Sequence, residues 1–257
     1  MPGALEGLRV LDLTEREGHL CGRLLADLGA EVIKIEPPEG DPSRRVGPFA
    51  GDGSGIESSL AFINLNTNKK SVTLDLSAED GRQAFQTLVR DADAVVEAFA
   101  PGTLEAWGLD YDTLSKDNPG LVMVSITGFG LSGPYRHFKA PSIVCTAMGG
   151  VMSLCGFPDR PPLAEVQEVP YDLAAAFAAY GALLALRHRE ATGRGQRVEV
   201  SCQEVSAAQQ HIIVNYSSNA TLLERAGNRT PVGGGMPYGI YPANDGFIHL
   251  VVIATSH

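Results

Sequence analysis

Leu8-Arg9-Val10-Leu11-Asp12-Leu13, then Leu20-Cys21-Gly22-Arg23-Leu24-Leu25-Ala26-Asp27-Leu28-Gly29, then Glu31-Val32-Ile33-Lys34-Ile35, is the run that decides the fold. The first and last pieces are short, apolar and rich in β-branched residues, as strands are. The middle piece carries leucines at 20, 24, 25 and 28, the spacing of one helix face, and Gly29 stands where such a helix stops. Strand, helix and strand in this order imply a parallel pair joined by a right-handed crossover.

The pattern continues outward. Residues 36–56 are rich in Pro, Gly, Asp and Ser and read as a long surface loop. Strands are expected at 71–76, 94–97, 121–126 and 197–200. Helices are expected from Ser77, as N-cap with Asp80 three residues on, to about 90, and then over 141–154, 171–190 and 203 to about 225. Residues 239–241 and 247–253, joined through Asn244-Asp245-Gly246, read as a hairpin. The class is therefore α/β, with a large Rossmann-like domain over residues 1–210. Residues 211–257 read as a linker and the start of a smaller, truncated domain.

Composition sets limits on function. Apolar residues are 44% and charged residues 19% of 257, which suits a packed core. The net charge of −10 with no basic run argues against general nucleic-acid or membrane-surface binding, and no uninterrupted apolar run has membrane-span length. Cys21, Cys145, Cys155 and Cys202 form no C-x-x-C pair, so no metal site is expected. Reduced thiols and a start without signal-peptide character suggest a cytoplasmic protein.

Gly128-Phe129-Gly130-Leu131-Ser132-Gly133 fits the dinucleotide fingerprint G-x-G-x-x-G behind a strand. The residues that follow, Pro134-Tyr135-Arg136-His137-Phe138-Lys139, are a poor helix start. A nucleotide pyrophosphate would therefore lack the helix N-terminus it needs. A glycine loop at a strand end is the simpler reading.

Several segments, in order, resemble the class III coenzyme A transferases, the family of formyl-CoA transferase, carnitine CoA-transferase and α-methylacyl-CoA racemase. They are the 7–14 strand, the Leu25-to-Pro38 stretch, Asn64-Leu65-Asn66-Thr67-Asn68-Lys69-Lys70-Ser71, Val96 to Gly102, Gly128 to Tyr135, and Thr192-Gly193-Arg194-Gly195-Gln196. The resemblance implies a Rossmann-like large domain, a smaller domain, and dimers that interlock as linked rings. It implies transfer of coenzyme A from an acyl-CoA to a carboxylic acid through an aspartyl anhydride and an aspartyl thioester. Coenzyme A is then a substrate, no cofactor is tightly bound, and the partner is a second copy or a related subunit.

The matching nucleophile is Asp172, at the start of the 171–190 helix. The plain alternative is a helix cap. The family aspartate stands ten positions before a landmark glycine, whereas Asp172 stands nine before Gly181, so an ungapped match falls on Tyr171. Either the alanine run carries a deletion, or this chain is the silent subunit of a heteromer. Glu165 and Glu168 have no motif behind them. Racemase chemistry is the weakest of the three readings, because Pro141 and Ser142 occupy the place of the family histidine. The resemblance also nominates Lys69, Lys70 and Lys139 for the phosphates of coenzyme A, and Phe99 and Gly102 for its adenine side. Gly233, Gly234 and Gly235 match a mobile loop over the thioester, with a plain linker as the alternative. The turn after the first strand departs from the family, reading Glu15-Arg16-Glu17-Gly18-His19.

Overall fold

A computed structural model describes residues 3–51, 55–166, 168–208, 225–228 and 238–252. In chain order the first half runs β1 (Arg9–Asp12), α1 (His19–Asp27), β2 (Glu31–Glu36), α2 (Leu60–Leu65), β3 (Lys70–Thr73), α3 (Glu79–Arg90) and β4 (Ala94–Glu97). It continues with α4 (Thr103–Trp107), α5 (Tyr111–Asp117), β5 (Val122–Thr127), α6 (Ser142–Met148), α7 (Val169–Thr192), β6 (Arg197–Ser201) and α8 (Cys202–Ala208). A hairpin of β7 (Tyr238–Pro242) and β8 (Phe247–Val251) follows. The first six strands form one parallel sheet in the order β3-β2-β1-β4-β5-β6.

Alternation along the strands separates two apolar layers. Val10, Val32, Val96, Val124 and Ile126 face α1 and the alanine side of α7. Leu11, Val95 and Met123 face the opposite way, onto Phe85 and Val89 of α3 and Leu114 of α5. The central strands β4 and β5 are buried along their whole length, as strands covered by helices on both faces must be. Helix α7 has the length and hydropathy of a membrane span, which the broken apolar runs of the sequence did not suggest. Its alanines at 174, 175, 178, 179 and 182 are buried, and their small size lets the helix lie close on the sheet and α1.

Local signals explain most of the boundaries. Gly29 takes φ +105° and ends α1, and Gly193 takes φ +73° and ends α7. Four expectations are corrected. Helix α3 is capped at Ala78 rather than Ser77, because the Ser77 amide and hydroxyl both turn back onto Asp75 Oδ1, at 2.9 and 2.6 Å. Residues 74–76 leave the sheet after Thr73. The 141–154 helix breaks at Gly149-Gly150, where Gly150 takes φ +89°. The 36–56 loop contains a 3-10 turn at Pro42–Arg45. Residues 209–224, which include the rest of the helix expected to 225, lie outside the described residues.

The Thr-Gly-Arg-Gly-Gln motif has a packing role. A Cβ on Gly195 would sit 1.8 Å from the carbonyl oxygen of Leu121, while its amide donates to Pro119 at 2.9 Å. Only glycine lets the entry to β6 pass this close to the entry to β5. Gly195→Ala is expected to lower unfolding free energy by at least about 2 kcal/mol, read from urea unfolding, because backbone rather than a side chain must yield.

Candidate functional site

In a parallel sheet of this order, the direction in which successive strands are added reverses between β1 and β4, and a crevice opens beyond the carboxyl ends of those strands. Two cavities lie there. One, of about 350 Å³, is bordered by Thr14, Glu15, Pro37, Leu74, Phe99 and Trp107. The other, of about 390 Å³, is bordered by Glu17, Phe99, Gly128, Lys139, Ala140 and Tyr171, with Arg136 and His137 at its lip. Phe99 belongs to both and stacks edge-on against Trp107 with centroids 5.3 Å apart. Their charges differ. Carboxylates at 15, 36, 39, 41 and 75 line the first cavity, whereas the cations Arg136 and Lys139 line the second together with Glu17.

The floor is a buried ionic network. Lys69 Nζ meets Asp12 Oδ2 at 2.7 Å, the His19 carbonyl at 2.8 Å and Asn66 Oδ1 at 2.8 Å. Lys34 Nζ meets Asp41 Oδ2 at 2.8 Å and the Thr14 carbonyl at 2.6 Å. With Asn66 Oδ1 facing Lys69, its amide nitrogen faces His19 Nδ1 at 3.2 Å. His19 therefore carries its proton on Nε2 and donates it to Asp41, 3.0 Å away. Burial lowers the His19 pKa and keeps the ring neutral. Burial alone would raise the Asp12 carboxyl, but Lys69 and Lys34 outweigh it and hold it at about 2. Asp41 is lowered further still: burial raises it, and His19 and Lys34 reverse the sign. Arg44 forks onto Glu36 with two contacts of 2.7 Å. Glu36, raised by burial but lowered by Arg44 and Ser71, also sits at about 2.

The residues expected at the site separate. Phe99 and Lys139 border the crevice, and Gly102, at φ +96°, opens α4 in a small adjoining hollow. Lys69 does not reach it: its side chain is 2% exposed and its three donors are all engaged in the floor. Lys70 also lies elsewhere, at the start of β3, where its 70% exposed side chain pairs with Glu31 at 2.6 Å. Gly233, Gly234 and Gly235 lie outside the described residues.

Asp172 sits in the first turn of α7, its amide bonded to the Glu168 carbonyl at 2.8 Å. It is therefore inside the helix rather than its cap. Its carboxylate meets Arg16 Nη1 at 2.9 Å and Nη2 at 3.5 Å. The neighbouring Tyr171 is buried, borders the crevice, and donates from its hydroxyl to the Ala140 carbonyl at 2.7 Å. One residue is about 100° of helix, so the two side chains cannot share a direction. Arg16, Arg136 and Trp107 were not singled out from the sequence. Trp107 is the chain's lone tryptophan, and that rarity was the available signal. Arg16 lies in the turn that departs from the family pattern, where resemblance carries no information.

Glu97 ends β4 immediately before the Ala98-Phe99 turn, and its Oε2 accepts from the Phe99 amide at 2.8 Å. Burial pushes its carboxyl up to about 7, against the pull of hydrogen bonds from Ser125 and Phe99.

Sheet order and crevice define a Rossmann-like α/β protein. The chain belongs to CoA-transferase family III, whose profile matches residues 5–257. It is 44% identical over 248 residues to the succinyl-CoA–D-citramalate CoA-transferase of Chloroflexus aurantiacus, covering 95% of this chain and 60% of that protein. Over 245 residues it is 36% identical to subunit BbsE of the succinyl-CoA:(R)-benzylsuccinate CoA-transferase of Thauera aromatica, covering 95% of this chain and 59% of that subunit. The crystal structure of a CaiB/BaiF family protein from Brucella suis superposes with a TM-score of 0.87 at 34% identity, covering 96% of this chain and 65% of that one. The chain thus spans about 60% of the length of the curated relatives it matches.

The raised Glu97 carboxyl gives a pH signature. Between about pH 4.5 and 7 the native state keeps a proton that the unfolded chain has released, so this group's contribution falls as pH rises, by up to about 3 kcal/mol. In thermal unfolding scans, Glu97→Gln should raise Tm relative to wild type at pH 8 and leave it little changed at pH 4.5.

Proposed function

We propose that the whole protein is a cytoplasmic transferase that moves coenzyme A from an acyl-CoA to a carboxylic acid, with Asp172 as nucleophile and coenzyme A as substrate rather than bound cofactor. The observation that carries this reading is a partly exposed carboxylate in the first turn of α7, next in sequence to a residue that borders the crevice. Relatives named for acyl-CoA-to-acid transfer support it, as do four unpaired cysteines, which suit a reducing compartment. Arg136 and Lys139 are cations at the crevice suited to phosphates, and Phe99 and Trp107 offer aromatic rings against which a base could pack.

The covalent steps need only a carboxylate and a thioester. A carboxylate oxygen of Asp172 bonds to the acyl carbonyl carbon, the C–S bond breaks, and the thiolate leaves with its electron pair. The thiolate then attacks the aspartyl carbonyl of the mixed anhydride and expels the donor acid. The incoming acid attacks the aspartyl thioester and expels the thiolate. That thiolate attacks the new acyl carbon and returns Asp172 as a carboxylate. Every step exchanges one acyl link for another, so no proton or metal is required for balance.

A second reading has its own observation. Tyr171, not Asp172, faces the crevice, which suits a non-catalytic subunit beside a competent relative, as in an assembly with subunits such as BbsE. The site offers no comparable support for a racemase, since the residue at the family's histidine position is Pro141, which borders the crevice without a titratable group.

The full-length protein is to be incubated with succinyl-CoA and hydroxylamine, and the modified residue located by mass spectrometry. Conversion of Asp172 to its hydroxamate is expected, and Asp172→Ala should lower kcat by roughly a thousandfold or more with an unchanged unfolding transition. Absence of label at 165–172, with activity restored only by a related subunit, would establish the second reading instead.

A further inference from the structure

The Arg16–Asp172 pair differs from the lysine–aspartate pairs of the crevice floor. The side chains of Lys69, Asp12, Lys34 and Asp41 are at most 2% exposed, each lysine bonds more than one acceptor, and no small molecule can compete for them. Arg16 and Asp172 are 26% and 32% exposed. One of their two contacts is short and the other is 3.5 Å. Among the described residues Arg16 makes no other hydrogen bond or ion pair, so the remaining donors of its fork are available. Its place is also particular. Arg16 stands between Glu15, which borders one cavity, and Glu17, which borders the other, on the turn that leaves β1 at the switch point.

An exposed pair of this kind is weak and open to exchange. The ligand best suited to replace the Asp172 carboxylate on a guanidinium fork is another carboxylate. We infer that Arg16 is the carboxylate anchor of the acid substrate, released by Asp172 when that residue becomes acylated and returned to it at the end of the cycle. The inference rests on the nucleophile reading of Asp172 and extends it. Charge balance supplies the reason for the exchange. When Asp172 bonds to an acyl carbon its negative charge passes to the departing thiolate, and Arg16 loses its counter-ion. At that stage the donor acid must leave and the acceptor acid must enter, each as a carboxylate. An unpaired guanidinium beside the aspartyl carbonyl would hold either acid within reach of the carbon it attacks or leaves. Arg16 forms no covalent bond and is a positioning residue.

The half-reaction isolates this role. Full-length wild type, Arg16→Gln and Arg16→Lys are to be assayed for exchange of labelled succinate into succinyl-CoA, alongside hydroxylamine labelling of Asp172. The Gln variant is expected to raise half-saturating succinate by about tenfold or more while half-saturating succinyl-CoA changes less than about twofold. Lys, which keeps the charge without the fork, should recover part of the loss. Unchanged succinate dependence in a labelled Gln variant overturns the anchor and leaves the nucleophile standing. So does a matching rise for both substrates, the mark of a merely structural pair. Absence of label and of exchange in wild type removes the nucleophile and the anchor together.

Discussion

Two lysine ammoniums, Lys34 and Lys69, lie under the switch point with almost no access to water, and the crevice depends on how they are held. Each faces a buried aspartate: Asp41 comes from the loop after β2, and Asp12 ends β1. His19 joins the two halves by donating to Asp41 while its other ring nitrogen faces Asn66. Strands β1 and β2, the start of α1, the 41–45 turn and the α2–β3 connection are thereby fastened to one another. Removing one partner leaves a charge in the interior, at a cost of about 3–5 kcal/mol. Repacking all of them with apolar groups would cost less, so the network is better understood as fixing geometry than as adding stability. It places the turns bearing Glu15, Arg16 and Glu17 over a rigid base.

Much of this fold was legible because its signals are local. Strand and helix periodicity in residues 8–35 set the parallel sheet, and Gly29 marked a helix end that the backbone confirms by positive φ. Short helices escaped notice. The spans of α2, α4 and α5 are too brief to show a full apolar period, and tertiary packing rather than propensity holds them. The α3 cap was misplaced for a competing local reason: a serine can bond back to a preceding aspartate as readily as forward to a helix.

The site was less legible because lysines look alike in sequence. Lys69 and Lys70 are adjacent and share one expected role, yet Lys69 lies just before β3 and Lys70 opens it, and the two side chains meet different surroundings. One is sealed into the floor and the other pairs with Glu31 at the start of β2. Nothing in their local pattern separates them, since the distinction comes from Asp12 and Glu31, more than thirty residues away in the chain. Phe99 reaches the crevice from the turn just after β4, and Lys139 borders it from the loop between β5 and α6, both beyond carboxyl ends of strands.

Tyr171 and Asp172 show how sharply one step along a helix changes a side chain's surroundings. The alanine face of α7 fixes the helix against the sheet, so its first turn cannot rotate to exchange one residue for the next. With Tyr171 bonded to the Ala140 carbonyl, the aromatic ring closes the crevice wall, and the carboxylate projects to the side where Arg16 stands. An arginine on this turn then has a consequence that an apolar residue there would not. It gives the Asp172 carboxylate a partly exposed partner, above a floor whose lysines and aspartates are sealed from water. A reaction that forms and breaks bonds to a carboxylate needs both conditions: a floor that does not move, and one ion pair that can open without disturbing it.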